Sequence, residues 1–400
     1  MSCRTLEMGK KNSNNLVMNP AAYTNRRSGR VVLVGTGDAA YDAFEPEPLP
    51  PALVFTAELV STLSEADQAL GRLAGVGRQL PNPHILIRPY LRREAVSSSR
   101  IEGTQSTLGE VLAAEAQLLP ETPDTREVLN YVRAFEIGLE RLRTLPLSTR
   151  LIREMHSELM RGVRGAEREP GEFRRSQNWI GGRGPSDAVF VPPPASSLPE
   201  HLTALERFIH EGATMPVLVR SALLHYQFET IHPFLDGNGR IGRLLVVFFL
   251  VERGVLPQPL LYLSAFLERE RDEYVRRLQA VREIGDFEGW ITFFLTGVAQ
   301  QAEAALHNAE SLLRLNREFR ERLRALRARG SVVDAAEGLI GNPFVTAPRL
   351  AETLGITRQG ALYVISTLER AGIVAEDSRG ERSTLYVARE VLAVLEDETT

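Results

Sequence analysis

One short stretch of the sequence holds residues of the types that could bind and transfer a phosphate-containing group. It runs from Ile231 to Leu250 and reads IHPFLDGNGRIGRLLVVFFL. The two glycines and the asparagine in residues 236–239 disfavour a helix interior and favour a turn. An apolar helical pattern follows from Arg240. A glycine-rich turn that leads into a helix N-terminus presents free N–H groups and the positive end of the helix dipole, so this stretch predicts an anion site.

The charged residues of this stretch are suited to a polyphosphate. Arg240 and Arg243 are three residues apart and share one face of the first helical turn. Asp236 would repel a phosphate unless a metal ion lay between them, and Mg²⁺ is the usual mediator. His232 could act as a base for a hydroxyl nucleophile near neutral pH. Each residue alone could be a loop donor, a plain turn or a surface charge, but their combination at this spacing favours a phosphate site.

Residues 232–243 resemble the motif of the Fic family, HxFx(D/E)GNGRxxR, and they match it at every specified position. The resemblance implies an enzyme that transfers AMP from ATP to a protein hydroxyl group. His232 would then take the proton of the hydroxyl group, and Asp236 would hold Mg²⁺ against the α- and β-phosphates. Related Doc-type proteins transfer the γ-phosphate and lack the full Gly-Asn-Gly turn, so nucleotidyl transfer is favoured. The implied nucleotide-binding residues of the motif are Gly237, Asn238, Gly239, Arg240, Ile241, Gly242 and Arg243.

The resemblance extends to a segment before the motif. Gly171–Arg174 and Gln177–Gly182 are similar to the start of the family's flap, and Ala188–Pro194 to its return strand. The flap is expected to be an exposed hairpin edge that clamps an extended segment of the target protein. Further implied nucleotide contacts are Ile180, Gly181, Gly182 and Tyr274, while Trp290 is assigned to the core and His156 and His225 to structural roles.

An upstream segment, SSSRIEGTQST in residues 97–107, has two interpretations. Its residue types alone predict an ordinary helix start. It also resembles the family's inhibitory motif (S/T)xxxE(G/N), with Ser98, Glu102 and Gly103 at the specified positions. The resemblance implies that Glu102 pairs with Arg243 and occupies the guanidinium group that the γ-phosphate needs. ATP would then bind with its α-phosphate misaligned, so the protein would inhibit itself.

Composition is typical of a protein that neither spans a membrane nor coats nucleic acids without sequence preference. The chain has 400 residues, 43% of them hydrophobic, with a net charge of −4 and a single cysteine, Cys3. Its first residues lack an apolar signal region, and the apolar run Leu244–Val251 is too short to span a bilayer. A soluble, cytoplasmic protein is expected. Lysine occurs only at Lys10 and Lys11, so an arginine is informative only through its spacing.

The apolar spacing predicts a mainly α fold, a Fic-type helical bundle with a short β-hairpin flap. Gly35-Thr36-Gly37 resembles a dinucleotide-binding fingerprint, which needs a helix directly after the glycines. The four prolines between residues 46 and 51 exclude that helix. Residues 29–51 are therefore expected to be an extended arm. Predicted helices cover about 53–75, 105–116, 125–143, 148–162, 196–211, 214–227, 238–254, 264–283 and 286–328. The predicted domains are a disordered tail (1–28), an N-terminal region with the inhibitory helix (29–115), a catalytic core (116–305), a linking helix (306–330) and a winged helix-turn-helix domain (331–400).

The winged helix-turn-helix prediction comes from the order helix, glycine turn, helix and hairpin in the last seventy residues. Its second helix would offer Thr357, Arg358, Gln359 and Tyr363 to a DNA groove. Residues 341–400 contain six arginines and nine acids, and a groove-binding domain needs a positive footprint. The sequence therefore leaves DNA binding open. The hairpin turn is placed at Asp377-Ser378-Arg379-Gly380.

Two other functions stay open at this point. One is a transcription regulator whose Fic-like body senses ATP or a partner. The other is an enzyme that uses a different nucleotide or removes AMP from its target. The resemblance also implies that a homodimer could form, but the sequence identifies neither the interface nor the target protein.

Overall fold

The computed structural model describes residues 17–79, 84–115, 121–211, 214–377 and 384–396. Helices dominate these residues, as the predicted mainly α fold requires, and two small antiparallel sheets accompany them. The helices are α1 (Ala57–Gln79), α2 (His84–Ile101), α3 (Leu108–Glu115), α4 (Pro123–Arg141), α5 (Thr149–Leu159), α6 (Leu198–His210), α7 (Val217–Ile231), α8 (Asn238–Glu252), α9 (Ser264–Arg269), α10 (Arg271–Ile284), α11 (Phe287–Ala325), α12 (Ser331–Gly341), α13 (Ala347–Leu354), α14 (Arg358–Arg370) and α15 (Arg389–Glu396). The strands are β1 (Gly29–Val34), β2 (Tyr41–Pro46), β3 (Phe344–Val345), β4 (Ala375–Asp377) and β5 (Leu385–Val387).

Helices α7 and α8 form the centre of the fold. Nearly every residue of both helices is buried, because apolar side chains lie on all their faces. Helix α7 packs on α6, α8 and α11, and α8 also contacts α2, α4 and α5. The turn 232–237 joins α7 to α8, so this turn is fixed at both ends by buried helices.

Most predicted helices are present, with two differences in the middle of the chain. The prediction for 264–283 is wrong in detail, because α9 and α10 are separate helices that meet at Glu270. The predicted boundary between residues 305 and 306 lies inside α11, which runs without a break from the core into the linking helix. The end of the helix predicted at 105–116 lies outside the described residues, which stop at Glu115.

Helix α2 is absent from the helices that the apolar spacing predicts, although the resemblance implies an inhibitory helix within residues 29–115. It contains Pro89 and a run of serines at its end, both of which weaken a helical signal. Packing against α4, α9 and α12 outweighs that local preference. The predicted helix start at the hydroxyl cluster 97–99 is also wrong, because these serines lie in the last turn of α2. The helix start is at Thr107, whose backbone N–H and hydroxyl group exchange hydrogen bonds with Glu110.

The N-terminal segment is a hairpin and not an extended arm. β1 and β2 pair antiparallel, with Val31 opposite Phe44. Residues 35–37 lie in the hairpin loop, which confirms that they are not a dinucleotide-binding fingerprint. Phe44 is buried in a small cluster with Phe190 of the flap, and this tertiary contact supplies the core that the strands lack alone.

The disordered tail predicted for 1–28 is wrong for its described part, residues 17–28. The Met18 N–H donates to the Ala188 carbonyl group at 2.7 Å, and Arg27 pairs with Glu288 at 2.6 Å. Residues 1–16 lie outside the described residues. The first part of the chain is therefore attached both to the flap and to α11.

The C-terminal unit has the predicted order of helix, glycine turn, helix and hairpin strands. α13 ends at Gly355 in the left-handed region, and Thr357 caps α14 by accepting a hydrogen bond from the Gly360 N–H. The strands lie in the order β3-β5-β4. The predicted turn at 377–380 lies outside the described residues beyond Asp377. The winged-helix assignment and its DNA contacts stay predictions.

The flap differs from the exposed hairpin edge that the sequence predicts. Only one bridge joins its two sides among the described residues, between Ile180 and Phe190. The outer edge of the return strand is covered, since its Ala188 and Val191 carbonyl groups accept hydrogen bonds from Met18 and Phe44. The exposed-edge prediction is therefore wrong for residues 188–191, because the N-terminal hairpin occupies that edge. Within the described ranges, no helix is long and apolar enough to cross a membrane.

Candidate functional site

The site forms where the turn after α7 meets the N-terminus of α8. His232 ends α7 in the left-handed region, at φ 49°. Gly237, at φ 76°, begins α8, and a β-carbon there would lie 3.0 Å from the Met160 sulfur atom. The Asn238 side chain closes the turn, because it accepts a hydrogen bond from the Phe234 N–H and donates one to the Phe234 carbonyl group, both at 2.8 Å. The turn is thus rigid before any ligand binds.

The His232 imidazole is neutral and has one nitrogen atom available. Its Nδ1 lies 3.3 Å from the Glu229 carbonyl group, an acceptor, so Nδ1 carries the proton and Nε2 keeps its lone pair. Burial, together with the nearby Arg174 charge, lowers the pKa of His232 to about 4. At neutral pH this histidine can therefore accept a proton through Nε2.

Two residues that the sequence analysis did not select hold the His232 backbone in place. Arg174 donates from Nε to the His232 carbonyl group at 3.0 Å, and Asn178 donates from Nδ2 to the same oxygen at 3.0 Å. Asn178 also donates to the Phe234 carbonyl group at 2.8 Å. These bonds fix a backbone conformation that a non-glycine residue rarely adopts. They also tie the start of the flap to the turn.

The two arginines of the motif are buried under the turn in different surroundings. The side chain of Arg240 is only 3% exposed, and its closest carboxylate oxygen belongs to Glu127 at 3.5 Å. Its Nε and Nη1 atoms make no hydrogen bond with the described residues. Buried donors without hydrogen-bond partners are costly, so Arg240, although near the Glu127 carboxylate, keeps N–H donors free at a helix N-terminus, as an anion site needs.

Arg243, in contrast, is fully engaged by the segment that ends α2. Its Nε donates to the Ser98 hydroxyl group at 2.8 Å, and its Nη2 donates to the Ser98 carbonyl group at 2.8 Å. Nη2 also donates to Glu102 Oε1 at 2.9 Å. Burial acts to raise the pKa of Glu102, but the charges of Arg243 and Arg240 outweigh it and hold that pKa below its ordinary value. The structure thus brings Ser98, Glu102 and Arg243 together.

Gly103 follows Glu102 at φ 94°, which lets the chain turn away after α2. Glu94, one turn before Ser98, anchors this helix, since its carboxylate accepts hydrogen bonds from Tyr131 at 3.1 Å and from the Ser264 N–H at 3.1 Å. The end of α2, with Ser98 and Glu102, is therefore held by α4 and α9 as well as by Arg243.

Asp236 faces the turn as a single carboxylate. Its Oδ1 accepts a hydrogen bond from the Gly237 N–H at 2.8 Å, and Arg168 and Arg240 lie 3.9 and 4.0 Å away. The side chain is 27% exposed. No group of three or more histidine, cysteine, aspartate or glutamate side chains that could hold a metal ion occurs in the described part of the chain.

His156 supports this aspartate, although the sequence analysis assigns it only a structural role. Its Nδ1 accepts a hydrogen bond from the Gly171 N–H at 2.8 Å, so Nε2 carries the proton and donates to the Asp236 carbonyl group at 3.0 Å. Its ring stacks on Phe234 at 3.7 Å between centroids. Burial lowers the pKa of His156 to about 4, so it stays neutral. It is a positioning residue for the turn.

Behind α8 lies a buried polar network that includes Tyr274. The Tyr274 hydroxyl group lies 2.9 Å from His225 Nε2, and His225 Nδ1 lies 3.0 Å from the Gly242 carbonyl group. Trp290 is fully buried and donates to the Ala222 carbonyl group, as the core assignment predicts. Tyr274 is 6% exposed and its hydroxyl group is engaged by His225, so its contact with adenosine stays a prediction.

Glu229 is a further buried carboxylate that sequence reasoning missed. It is 6% exposed, and its Oε1 has no hydrogen-bond partner among the described residues. Oε1 fills the space beside Gly242, where a β-carbon would lie only 2.2 Å away. Burial raises the pKa of Glu229 to about 7, against the opposing charge of Arg243. Ile241, which lies between Arg240 and Gly242, is fully buried and faces the core.

Gly181 and Gly182 form the tight turn of the flap next to Ile180. Both are in the left-handed region, and a β-carbon at Gly182 would lie 2.3 Å from the Asp187 carbonyl oxygen. Asp187 accepts hydrogen bonds from the N–H groups of Arg183 and Gly184. The flap lies beside the turn 232–237, to which Asn178 is hydrogen-bonded, but the nucleotide contacts of residues 180–182 stay predictions.

Comparison with known proteins agrees with this fold. Residues 60–140 match the model of the Fic/DOC family N-terminal region, and residues 146–250 match the model of the Fic/DOC family. A crystal structure of a Fic family protein from Desulfovibrio desulfuricans G20 is similar, with a TM-score of 0.54 and 22% identity over 85% of this chain and 98% of that chain. The likeness shows a Fic-type fold.

Two relatives carry an activity in their names. A probable protein adenylyltransferase of Aquifex aeolicus is 28% identical over 209 residues, which is 50% of this chain and 58% of that protein. The protein adenylyltransferase Fic of Drosophila yakuba is 28% identical over 193 residues, which is 48% of this chain and 35% of that protein. The similarity therefore spans about a third to three fifths of these relatives.

Proposed function

We propose that this protein transfers AMP from ATP to a hydroxyl group of a target protein and that Glu102 inhibits the transfer. The observation that carries the proposal is the turn 236–239 at the N-terminus of α8. Arg240 lies beneath it with two N–H donors that make no hydrogen bond among the described residues, and the neutral His232 lies beside it. Two relatives named as adenylyltransferases support the same reaction. The modified residue would be a tyrosine, serine or threonine.

His232 would act as the general base. Its Nε2 is the unprotonated nitrogen atom and would take the proton of the target hydroxyl group as the oxygen attacks the α-phosphorus atom. The bond to pyrophosphate breaks as the new P–O bond forms. The N–H groups of Gly237, Asn238 and Gly239, together with Arg240, would stabilise the negative charge on the phosphate oxygens. Most of the catalysis would come from positioning and charge stabilisation.

Asp236 would hold a magnesium ion. Mg²⁺ is usually bound by one or two carboxylates together with substrate phosphates, and a single carboxylate at an anion-binding turn fits that mode. The ion, when bound, would offset phosphate charge next to Asp236. A β-carbon at Gly165 would lie 2.9 Å from Asp236 Oδ2, so the glycine keeps that oxygen accessible.

Glu102 would compete with the nucleotide for Arg243. The guanidinium group is 2% exposed and already donates to Ser98 and Glu102, so a γ-phosphate could bind it only after the carboxylate moves away. A bias of a few kcal/mol between the two partners would be enough to switch the site. ATP that binds while Glu102 stays in place would have a misaligned α-phosphate.

The test is transfer of label from α-labelled ATP with Mg²⁺ to protein, with and without cell lysate. We expect little label with the wild-type protein, strong label with Glu102→Gly, and none with the double variant Glu102→Gly, His232→Ala. Chelation of Mg²⁺ should abolish the label. Label from γ-labelled but not α-labelled ATP would contradict AMP transfer. Equal activity of folded wild-type and Glu102→Gly proteins would contradict the inhibitory role of Glu102.

A further inference from the structure

A groove outside the phosphate site runs beside α6. Its cavity volume is about 960 Å³, in the range of a binding site. It is bounded by α6, by Thr149 at the start of α5, and by two chain segments, residues 173–175 and 195–196. The first segment leads into the flap and the second leaves it, so this groove, which we name the α6 groove, begins at the base of the flap.

The lining of the α6 groove is apolar at its floor and positively charged at its rim. Phe173, Leu198 and Leu202 supply apolar surface. The charged lining residues are three arginines, Arg174, Arg175 and Arg207, against one acid, Glu206. The carboxylate of Glu206 already accepts a hydrogen bond from the Thr149 N–H at 2.8 Å. The groove is therefore a local excess of positive charge on a chain whose net charge is −4.

The cations of the groove are poorly neutralised by the protein itself. Arg174 is 2% exposed and donates to backbone carbonyl groups, with no carboxylate at ion-pair distance in the described residues. Arg175 is exposed and has no ion pair in that same part of the chain. Arg207 is 67% exposed, and its nearest acid, Glu211, lies 3.8 Å away. An anionic occupant would offset this charge.

The floor of the α6 groove is in direct contact with the catalytic turn. Arg174 holds the His232 carbonyl group at 3.0 Å, and the Phe173 ring lies 5.1 Å from the Phe234 ring between centroids. Because Met18 and Phe44 cover the return strand, a target segment would lie along the other side of the flap, residues 178–182, and would reach this groove at the flap base. The same segment would then carry its hydroxyl group at the flap and its flanking residues in the groove.

We infer that the α6 groove selects target segments with acidic and apolar residues beside the modified hydroxyl group. Acidic side chains would pair with Arg175 and Arg207, and an apolar side chain would pack on Leu198 and Leu202. This inference rests on the proposed protein-modifying function and adds a sequence preference to it. The occupant is a segment of the target protein, because the groove continues from both ends of the flap.

The first test measures which peptides are modified. The Glu102→Gly protein is incubated with α-labelled ATP and a peptide library that has one central tyrosine, serine or threonine and random flanks. We expect aspartate and glutamate to be enriched on one side of the modified residue. The preference for acidic peptides is the kcat/KM for acidic peptides divided by the kcat/KM for basic peptides. Adding Arg175→Glu and Arg207→Glu should lower this preference by about tenfold, because two exposed ion pairs are reversed. Adding Arg72→Glu and Arg276→Glu, which makes the same change in net charge on α1 and α10, should leave the ratio unchanged.

The second test measures binding without catalysis. A fluorescein-labelled peptide of alternating aspartate and leucine should bind the Glu102→Gly protein more tightly than its lysine analogue does, and the Arg175→Glu, Arg207→Glu double change should remove that difference. Equal binding of both peptides, or a preference that survives the double change, would overturn the inference. So would library modification without acidic enrichment. If the acidic peptide binds through the arginines but no peptide is modified, the groove preference stands and the proposed transfer fails.

Discussion

Glu102 occupies the space that a side chain at position 239 would need. A β-carbon built on Gly239 would lie 2.2 Å from Glu102 Oε1 and 3.0 Å from Arg243 Nη1. The first contact is closer than real β-carbon contacts and the second is tight, so a side chain at this position would force the Glu102 carboxylate to move. A glycine of the turn 236–239 is therefore also the position that admits the Glu102 carboxylate, and this couples the two motifs in space.

Gly239→Ala should weaken the contact between Glu102 and Arg243. Gly239 has an ordinary helical backbone, so the methyl group must displace the carboxylate and not the chain. We expect a loss of about 1–3 kcal/mol in the free energy of unfolding. In a Glu102→Gly background the same change should cost nothing, because alanine is the better helix residue. Chemical denaturation of the four proteins measures the coupling, and equal losses in both backgrounds would contradict the steric relationship.

Ser98→Ala should destabilise the inhibited state, while Ser99→Ala should not. The Ser98 hydroxyl group accepts a hydrogen bond from Arg243 Nε at 2.8 Å, whereas the buried Ser99 hydroxyl group has no partner among the described residues. Loss of a hydrogen bond to a charged group costs about 1.5–3 kcal/mol. Denaturant unfolding compares the two variants, and label transfer should rise only for Ser98→Ala. Similar stabilities for both variants would show that the serine does not hold Arg243.

Glu229→Gln should change how stability depends on pH. The folded-state pKa of Glu229 is about 7 against an ordinary value of 4.5, so the folded protein keeps this proton while the unfolded chain loses it. The stabilising effect of protonation is fully present below pH 4.5 and is lost as the pH rises to 7. The charged groups facing Glu229 are Arg243 on α8, Arg282 on α10 and Glu102 after α2, and the neutral His232 is the further titratable group beside it.

The free energy of unfolding of the Gln variant, minus that of the wild-type protein, should therefore increase as the pH rises from 4.5. The gain should be on the order of 1–3 kcal/mol and should level off above pH 7. Unfolding by denaturant at pH 4.5, 6 and 8 measures the difference between the two proteins. A difference that is constant across this range would contradict the raised pKa.

Asn178→Asp should reduce catalysis through the position of His232. The change keeps the side-chain volume but removes the donors to the His232 and Phe234 carbonyl groups, at 3.0 and 2.8 Å. A buried carboxylate facing two carbonyl groups should cost about 2–4 kcal/mol of stability. In a Glu102→Gly background, kcat should fall while the affinity for a fluorescent ATP analogue stays the same. A lower affinity with an unchanged kcat would show that Asn178 acts on nucleotide binding and not on His232.

The local sequence predicted the parts of the site that are local in the chain. The turn 236–239, the helix from residue 238 and the position of His232 before the turn all lie within one short stretch. Glycine and asparagine disfavour helix there, and the apolar run after them favours it, so residue types alone are sufficient. The pairing of Glu102 with Arg243 was available only through resemblance to a family motif, because 141 residues separate the partners.

The supporting residues could not be predicted in the same way. Arg174 is one of many arginines in an arginine-rich chain, and nothing in its neighbours indicates that it holds the His232 carbonyl group. His156 and Glu229 are also ordinary members of amphipathic or apolar helices. Their roles depend on which side chains meet in the core. The apolar spacing missed helix α2 and the β1–β2 hairpin, because packing partners far along the chain stabilise both.

By itself, the sequence determined the mainly α fold, the turn before α8 and the order of the elements, because spacing, glycine conformation and apolar periodicity act over a few residues. Only the tertiary structure decided that Glu102 fills the space beside Gly239, that the N-terminal hairpin covers one edge of the flap, and that three arginines surround the α6 groove. Those relationships join residues distant in the chain. Their free energies depend on close packing and on burial of charge, which no single segment contains.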